Sequence, residues 1–192
     1  MARETCFDPG VDAAAASSRF HQPGRLQKEG GGGEERGGVR ALRVGYVSFD
    51  WKNHPMGRLT SYFVTHHDPR VVTSHAFSYG PDDGSAPRRR VERGATTFVD
   101  LRSVPSDDVA AEVVLQMELD VVVDLTLWTE GGRVSLVNRR LAPVTINYLG
   151  FPGSSGCAGY DFVLVDSRIA PAEVAPVAFT EKLIYVPRGF SY

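Results

Sequence analysis

The sequence predicts an α/β domain with a Rossmann-like, doubly wound parallel sheet, and three features support this prediction. Short β-branched runs alternate with segments of helical periodicity, which is the pattern of βαβ units. Several of those runs are apolar at successive positions, as expected of strands covered on both faces. The composition, with 42% hydrophobic and 10% aromatic residues, is that of a globular domain.

Seven strands are predicted, and each has a length typical of a buried strand: 42–47, 71–79, 96–101, 119–125, 144–149, 162–165 and 183–186. Three helices are predicted between them, at 56–66, 106–118 and 133–140. In the second helix, Val109, Val113 and Met117 recur at four-residue spacing, which predicts its buried face. Ser106 is a favourable N-cap for that helix.

Residues 1–41 differ in composition from the rest of the chain. They include the runs Ala13–Ala16 and Gly30–Gly33 and almost no large aliphatic side chains. Such a segment cannot bury enough apolar surface to offset its chain entropy, so a disordered tail is predicted, followed by a folded domain at 42–192. A transit peptide is the weaker alternative, because acidic residues accompany the arginines of this segment.

The charge balance excludes some classes of partner. A formal net charge of -2 gives no field that would attract nucleic acid or an anionic membrane. No apolar run is long enough to span a bilayer. Two cysteines, too few for a disulfide framework or a zinc site, favour a reducing compartment, which is the cytoplasm or the nucleus.

The first candidate site residue is His54. Ligands of doubly wound folds bind beyond the carboxyl ends of the strands, and His54 lies in the loop after the first strand. Pro55 favours an extended His54 at the start of a helix. A neutral imidazole there could accept a proton from a hydroxyl, since its reference pKa is ~6.5. Spacing alone favours the other interpretation, a histidine that caps the helix or packs in the loop.

Two further loops carry candidate ligand-binding groups. Asp124, at a buried strand end, needs a partner, which is either a ligand or the amides of its own loop. Thr129 and the following glycines open the next predicted helix, where amides could hold a sugar or a phosphate. The loop at 150–156 could approach a ligand closely through its glycines, or could be a tight structural turn. A dinucleotide-binding G-x-G-x-x-G is absent after the first strand.

Taken together, these loops resemble the catalytic region of the O-GlcNAc transferase and SPINDLY family over about residues 42–190. The matching motifs keep the family's order and spacing: Asn53-His54-Pro55, Pro81-Asp82-Asp83-Gly84, Asp124-Leu125 with Thr129 and Gly132-Arg133, Leu141-Ala142-Pro143-Val144, and Tyr148 to Gly156. The last of these, Y-L-G-F-P-G-S-S-G, is close to the family's W-L-G-Y-P-G-T-S-G.

The resemblance implies one lobe of a GT-B glycosyltransferase, an inverting and metal-independent enzyme that transfers a sugar to Ser or Thr of acceptor proteins. It implies no cofactor, only a nucleotide-sugar donor, with UDP-GlcNAc the first choice and fucose the alternative sugar. By this resemblance His54 matches the family's proposed catalytic base. The expected substrate-binding residues are Asp124, Trp128, Thr129, Gly153 and Ser154.

The sequence also departs from the family pattern. Leu127 and Trp128 stand where the family usually has Gly followed by His or Tyr, so Leu127 is expected to add bulk beside the sugar pocket. The chain is expected to hold the amino-terminal lobe only, without the second lobe or the tetratricopeptide repeats, and so to be inactive alone. The alternative function is a non-catalytic domain that binds peptides or a partner.

Overall fold

A single parallel sheet of seven strands organises residues 40–187, which are the residues that the computed structural model describes. The predictions for residues 1–39 and 188–192 lie outside this range. The strands are β1 (Leu42–Ser48), β2 (Val72–Ser78), β3 (Thr97–Asp100), β4 (Val121–Asp124), β5 (Val144–Tyr148), β6 (Phe162–Val165) and β7 (Lys182–Tyr185). Their order is β3-β2-β1-β4-β5-β6-β7 and every pairing is parallel, which confirms the predicted fold class.

Five helices cover the two faces of this sheet: α1 (Pro55–Thr65), α2 (Ala86–Gly94), α3 (Asp107–Leu115), α4 (Val134–Val137) and α5 (Ala175–Ala178). Helices α1 and α2 bury Val64 and Val91 in one core, together with Tyr46 of β1. Helices α3 and α4 pack on the opposite face in a second core. No helix within residues 40–187 combines the length and the apolar character needed to cross a membrane.

Two details of the predicted helices are wrong. Val109 of α3 is 48% exposed and the buried positions are Ala110, Ala111 and Val114, whereas the other two predicted positions, Val113 and Met117, are partly buried against the core. The small alanines let the helix approach the sheet, so its buried face is centred one position later than the valine spacing indicated. The third predicted helix, at 133–140, is the four-residue α4, and Arg140 has a φ of +56°, which is incompatible with an α-helix.

The strand order indicates the edge of the sheet at which a ligand would bind. From β1 the chain proceeds to β2 and β3 on one side, and then returns to β4 on the other side of β1. The carboxyl ends of β1 and β4 are therefore adjacent at a topological switch point, the usual ligand crevice of open parallel sheets. The loops that follow these two strands contain His54 and Asp124–Thr129, so the fold brings the predicted site residues to one edge.

Candidate functional site

The loops after β1 and β4 are packed against each other at the switch point. The amide of Phe49 donates to the Thr126 hydroxyl across the two loops at 3.1 Å. Gly131 has a φ of +79°, and a Cβ atom there would lie 2.6 Å from the Phe49 ring. Only glycine fits this left-handed, crowded position, so the backbone of the β4 loop lies directly on the β1 loop.

His54 is the N-cap of α1, as one of the two sequence interpretations proposed. Its backbone is extended (φ -133°, ψ 151°), and Nδ1 accepts a hydrogen bond from the Met56 amide at 3.3 Å. The side chain is nevertheless 42% exposed. Capping therefore uses only one ring nitrogen, and Nε2 is left for a ligand.

Asp50 is a site residue that the sequence reasoning missed. This buried carboxylate lies four residues before His54, with Oδ1 3.7 Å from His54 Nδ1 and 3.4 Å from Lys52 Nζ. Asp50 and the Met56 amide make opposite demands on Nδ1, because the carboxylate needs it to donate and the amide needs it to accept. Their competition decides which nitrogen of a neutral His54 carries the proton.

The loop that contains His54 is also held in place by hydrogen bonds to the Asp83 carboxylate. The Asn53 amide donates to Asp83 Oδ2 at 2.6 Å, and the Ser85 amide donates to Oδ1 at 3.0 Å. Hydrogen bonds from Ser85 and Asn53 hold the pKa of Asp83 at about 2, so it is ionised at neutral pH. Two of the motifs of the sequence, Asn53-His54-Pro55 and Pro81 to Gly84, are thus in direct contact.

Asp124 is only 1% exposed, and both of its oxygens are used inside the protein. Oδ1 accepts from the amides of Thr126 at 2.9 Å and Leu127 at 3.1 Å, and Oδ2 accepts from the Tyr160 hydroxyl at 2.6 Å. Burial raises the pKa of this carboxyl group. Of the two interpretations given above, these contacts match the one in which Asp124 ties down its own loop.

Leu127 does not add bulk beside a sugar pocket, and that expectation is wrong. Its φ is +49°, the left-handed conformation that glycine adopts most easily, which explains why glycine suits this position. The side chain is fully buried in the core with Val134 and Leu136, beneath the loop. The core contacts therefore compensate for a backbone conformation that costs on the order of 1–3 kcal/mol for a non-glycine residue.

Trp128 and Thr129 lie at the surface of the β4 loop. Trp128 is 37% exposed, and its Nε1 donates to the Ser155 carbonyl at 3.0 Å, which joins this loop to the loop after β5. The Thr129 hydroxyl donates to the Thr126 carbonyl at 2.8 Å, so its oxygen can still accept. Helix α4 begins at Val134, within one residue of the predicted start at Arg133, so Thr129 lies in the loop that leads into this helix.

The glycine loop at 150–156 is held mainly by one buried carboxylate, Glu181. Ser154 Oγ donates to Glu181 Oε2 at 2.7 Å, and the Ser155 amide donates to Oε1 at 2.6 Å. Burial alone would raise the pKa of Glu181, but hydrogen bonds from Ser155 and Ser154 outweigh it and lower that pKa. The Gly153 carbonyl accepts from Asn147 Nδ2 at 3.0 Å. This loop is therefore a structured turn.

The sequence profile of glycosyl transferase family 41 matches residues 33–192. The chain belongs to glycosyl transferase family 41. Its family 41 relatives include the probable UDP-N-acetylglucosamine–peptide N-acetylglucosaminyltransferase SEC of Arabidopsis thaliana, which is 29% identical over 91% of the chain and 18% of the relative. The UDP-N-acetylglucosamine–peptide N-acetylglucosaminyltransferase of Caenorhabditis elegans is 34% identical over 78% of the chain and 13% of the relative.

A solved structure gives the same result at the level of the fold. A mutant of the Thermobaculum terrenum O-GlcNAc transferase superposes with a TM-score of 0.73 at 26% identity, covering 79% of this chain and 28% of that one. The resemblance to the O-GlcNAc transferase and SPINDLY family is therefore confirmed. The chain spans less than a fifth of the length of the family 41 relatives SEC and the nematode transferase.

Proposed function

We propose that residues 42–187 form the amino-terminal catalytic lobe of a protein O-GlcNAc transferase. In this proposal the enzyme transfers GlcNAc from UDP-GlcNAc to Ser or Thr hydroxyls of proteins. The observation that carries the proposal is His54, a half-buried imidazole at the β1–β4 switch point with the buried Asp50 carboxylate behind it. The names of the plant and nematode relatives give the same donor and a peptide acceptor, so we propose GlcNAc rather than fucose.

His54 acts in this proposal as the general base. Its Nε2 takes the proton of the acceptor hydroxyl while that oxygen forms a bond to C1 of the sugar. The bond between C1 and the phosphate oxygen breaks on the opposite face, UDP leaves with the bonding electrons, and the configuration at C1 inverts. For Nε2 to accept, Nδ1 must hold the other proton and donate it to Asp50 instead of accepting from Met56. The 3.7 Å separation is too long for a hydrogen bond, so this step requires the two groups to move closer in the complex, as polar groups of apo sites often do.

The other predicted site residues divide into two groups. Thr129, Trp128 and Gly153 face the crevice in our proposal, with the Thr129 oxygen accepting from a sugar hydroxyl and the Trp128 ring lying along the sugar. Asp124 and Ser154 act by positioning, because their polar atoms are already occupied by Tyr160 and Glu181. No step is assigned to a metal or a cofactor. The proposed location, cytoplasm or nucleus, stays a prediction from composition.

A chimera tests the proposal. Residues 42–187 would replace the matching segment of the Thermobaculum terrenum enzyme, and transfer of labelled GlcNAc to a Ser- or Thr-containing peptide would be measured. We expect transfer by the chimera and none by the isolated chain. A chimera that folds and binds UDP but transfers no GlcNAc would contradict the proposal and favour the alternative, a non-catalytic domain that binds peptides.

A further inference from the structure

A cavity of about 620 Å³ lies between α1 and α2, next to the loop that contains His54. Its polar lining comes from both helices and from the two loops that precede them: Asn53, Arg58, Tyr62, Asp83, Ser85 and Arg90. None of these residues belongs to the machinery proposed above, although Asn53 is the direct neighbour of His54. The cavity is therefore beside the proposed transfer site and distinct from it.

Two arginines in this cavity are held by neutral groups. Arg58 Nη2 donates to Asn53 Oδ1 at 2.6 Å, and Arg90 donates to Ser61 Oγ at 3.0 Å and to the Tyr62 hydroxyl at 2.9 Å. The Arg90 guanidinium also lies 3.8 Å from the centre of the Tyr62 ring. A guanidinium has five N–H donors, so each of the two arginines keeps donors for a ligand.

The charges of these two arginines are compensated only in part by the protein. Within residues 40–187, neither Arg58 nor Arg90 forms a salt bridge, whereas their neighbours Arg88 and Arg89 pair with Glu92. The one carboxylate in the cavity, Asp83, is directed to the amides of Asn53 and Ser85. The cavity thus contains two oriented guanidinium groups and one carboxylate, and that carboxylate is bound to backbone amides. The excess positive charge should attract an anion.

We propose that this cavity binds an acidic side chain, a carboxylate or a phosphate, of a polypeptide acceptor. The outer face of α1 supports a polypeptide, because Leu59 and Tyr62 are exposed there and lie three residues apart on one face. Since Asn53 lines the cavity, an acceptor with its hydroxyl at His54 would place a nearby side chain against Arg58 and Arg90. That the bound polypeptide is the acceptor rests on the proposed function, whereas the binding of an anion in this cavity does not.

The test uses the whole 192-residue chain, labelled with ¹⁵N, and follows the Nε–H signals of Arg58 and Arg90. Four peptides of one sequence would be titrated, carrying glutamate, glutamine, phosphoserine or serine at one position, with inorganic phosphate as a fifth ligand. We expect the glutamate and phosphoserine peptides to bind about tenfold more tightly than their neutral partners. Arg58→Gln and Arg90→Gln should abolish that preference, and Arg58→Lys, which keeps the charge, should retain part of it.

Arg93→Gln is the matched control, because Arg93 is an exposed arginine of α2 outside the cavity. An equal loss in Arg93→Gln would overturn the proposal in favour of general charge attraction. Binding of inorganic phosphate without any peptide preference would overturn it in favour of a free-anion site, and equal affinity for all four peptides would overturn it outright. Loss of transfer by the chimera with the peptide preference intact would contradict only the proposed function.

Discussion

In the proposed function His54 combines two roles on a single side chain, helix cap and general base, and the two can be separated by substitution. His54→Ala in the chimera should lower turnover by about 10²–10⁴-fold, because the general base is lost, and should weaken α1 by about 0.5–2 kcal/mol through the lost cap. His54→Asn keeps a capping acceptor but has no basic nitrogen. We therefore expect it to be as inactive as His54→Ala and more stable in urea denaturation. If His54→Asn retains full turnover, His54 serves only as a cap.

Asp50 should act on turnover through the tautomer of His54. In Asp50→Asn the side chain has no charge to favour a proton on Nδ1, so the tautomer that accepts from Met56 gains population. We expect kcat of the chimera to fall about tenfold with KM unchanged, since the acceptor does not touch Asp50. Nitrogen shifts of His54 by NMR measure the tautomers directly. An unchanged tautomer ratio together with a lower kcat would contradict this role, and Lys52→Met, which removes the other partner of Asp50, is the control.

Asp124 should make stability depend on pH in a defined direction. Burial raises its pKa in the folded state, so the folded chain holds the proton more tightly than the unfolded chain. The associated stability is present at acidic pH and is lost as pH rises through the folded-state pKa. Asp124→Asn keeps an oxygen for the Thr126 and Leu127 amides and has no proton to lose. The free energy of unfolding of the variant relative to wild type should thus increase as pH rises from below the ordinary carboxyl pKa through the raised pKa of Asp124. A constant difference would contradict this assignment.

The sequence predicted where the site residues lie better than it predicted which groups they contact. Pro55 and the strand pattern placed His54 at a helix start, and the buried run before Asp124 predicted its need for partners. The burial of the Leu127 side chain depends on a left-handed backbone conformation that no local sequence pattern indicates. Asp50 and Glu181 were missed because their roles arise from contacts made only after folding, in the second case across 26 residues of chain.

Helix α2 depends on a buried guanidinium. Arg88 is 1% exposed, donates to Glu92 at 2.8 Å and Asp100 at 3.0 Å, and also reaches Ser78, so it joins α2 to the ends of β2 and β3. Arg88→Leu should lower the free energy of unfolding by about 1.5–3 kcal/mol, because these partners lose a charged donor. Arg89→Leu, at a position 41% exposed, should cost less than about 1 kcal/mol. Equal losses in urea denaturation would contradict a special role for Arg88.

Among the elements, strands were easier to predict than helices. All seven strands were found within two residues at each end, and the largest difference is at β4, where the predicted run of 119–125 is longer than Val121–Asp124 by two residues before and one after. Hydrophobic runs mark strands directly when both faces of a sheet are buried. Helix α2 was missed because its consecutive arginines hide the apolar periodicity, and its inner face consists of Pro87, Arg88 and Val91.

For the whole molecule, the strand order has the largest consequence. The reversal between β1 and β4 brings together three loops that are separated in sequence, and Trp128 and Phe49 join them by hydrogen bonds. The candidate site is therefore a property of the topology. Its position should be detectable in the isolated chain, even though the chain spans only 18% of its plant relative.

The measurement that tests this most directly is a titration of the ¹⁵N-labelled chain with UDP-GlcNAc, followed by amide chemical shifts. We expect the isolated chain to bind weakly, with a dissociation constant in the millimolar range, so several millimolar ligand is needed. We expect the shifts to concentrate in the loops at 49–55, 125–133 and 150–156, at the carboxyl ends of β1, β4 and β5. Shifts confined to the opposite edge of the sheet, around 118–120 and 160–161, or the absence of any shift, would contradict a sugar-nucleotide site at the switch point.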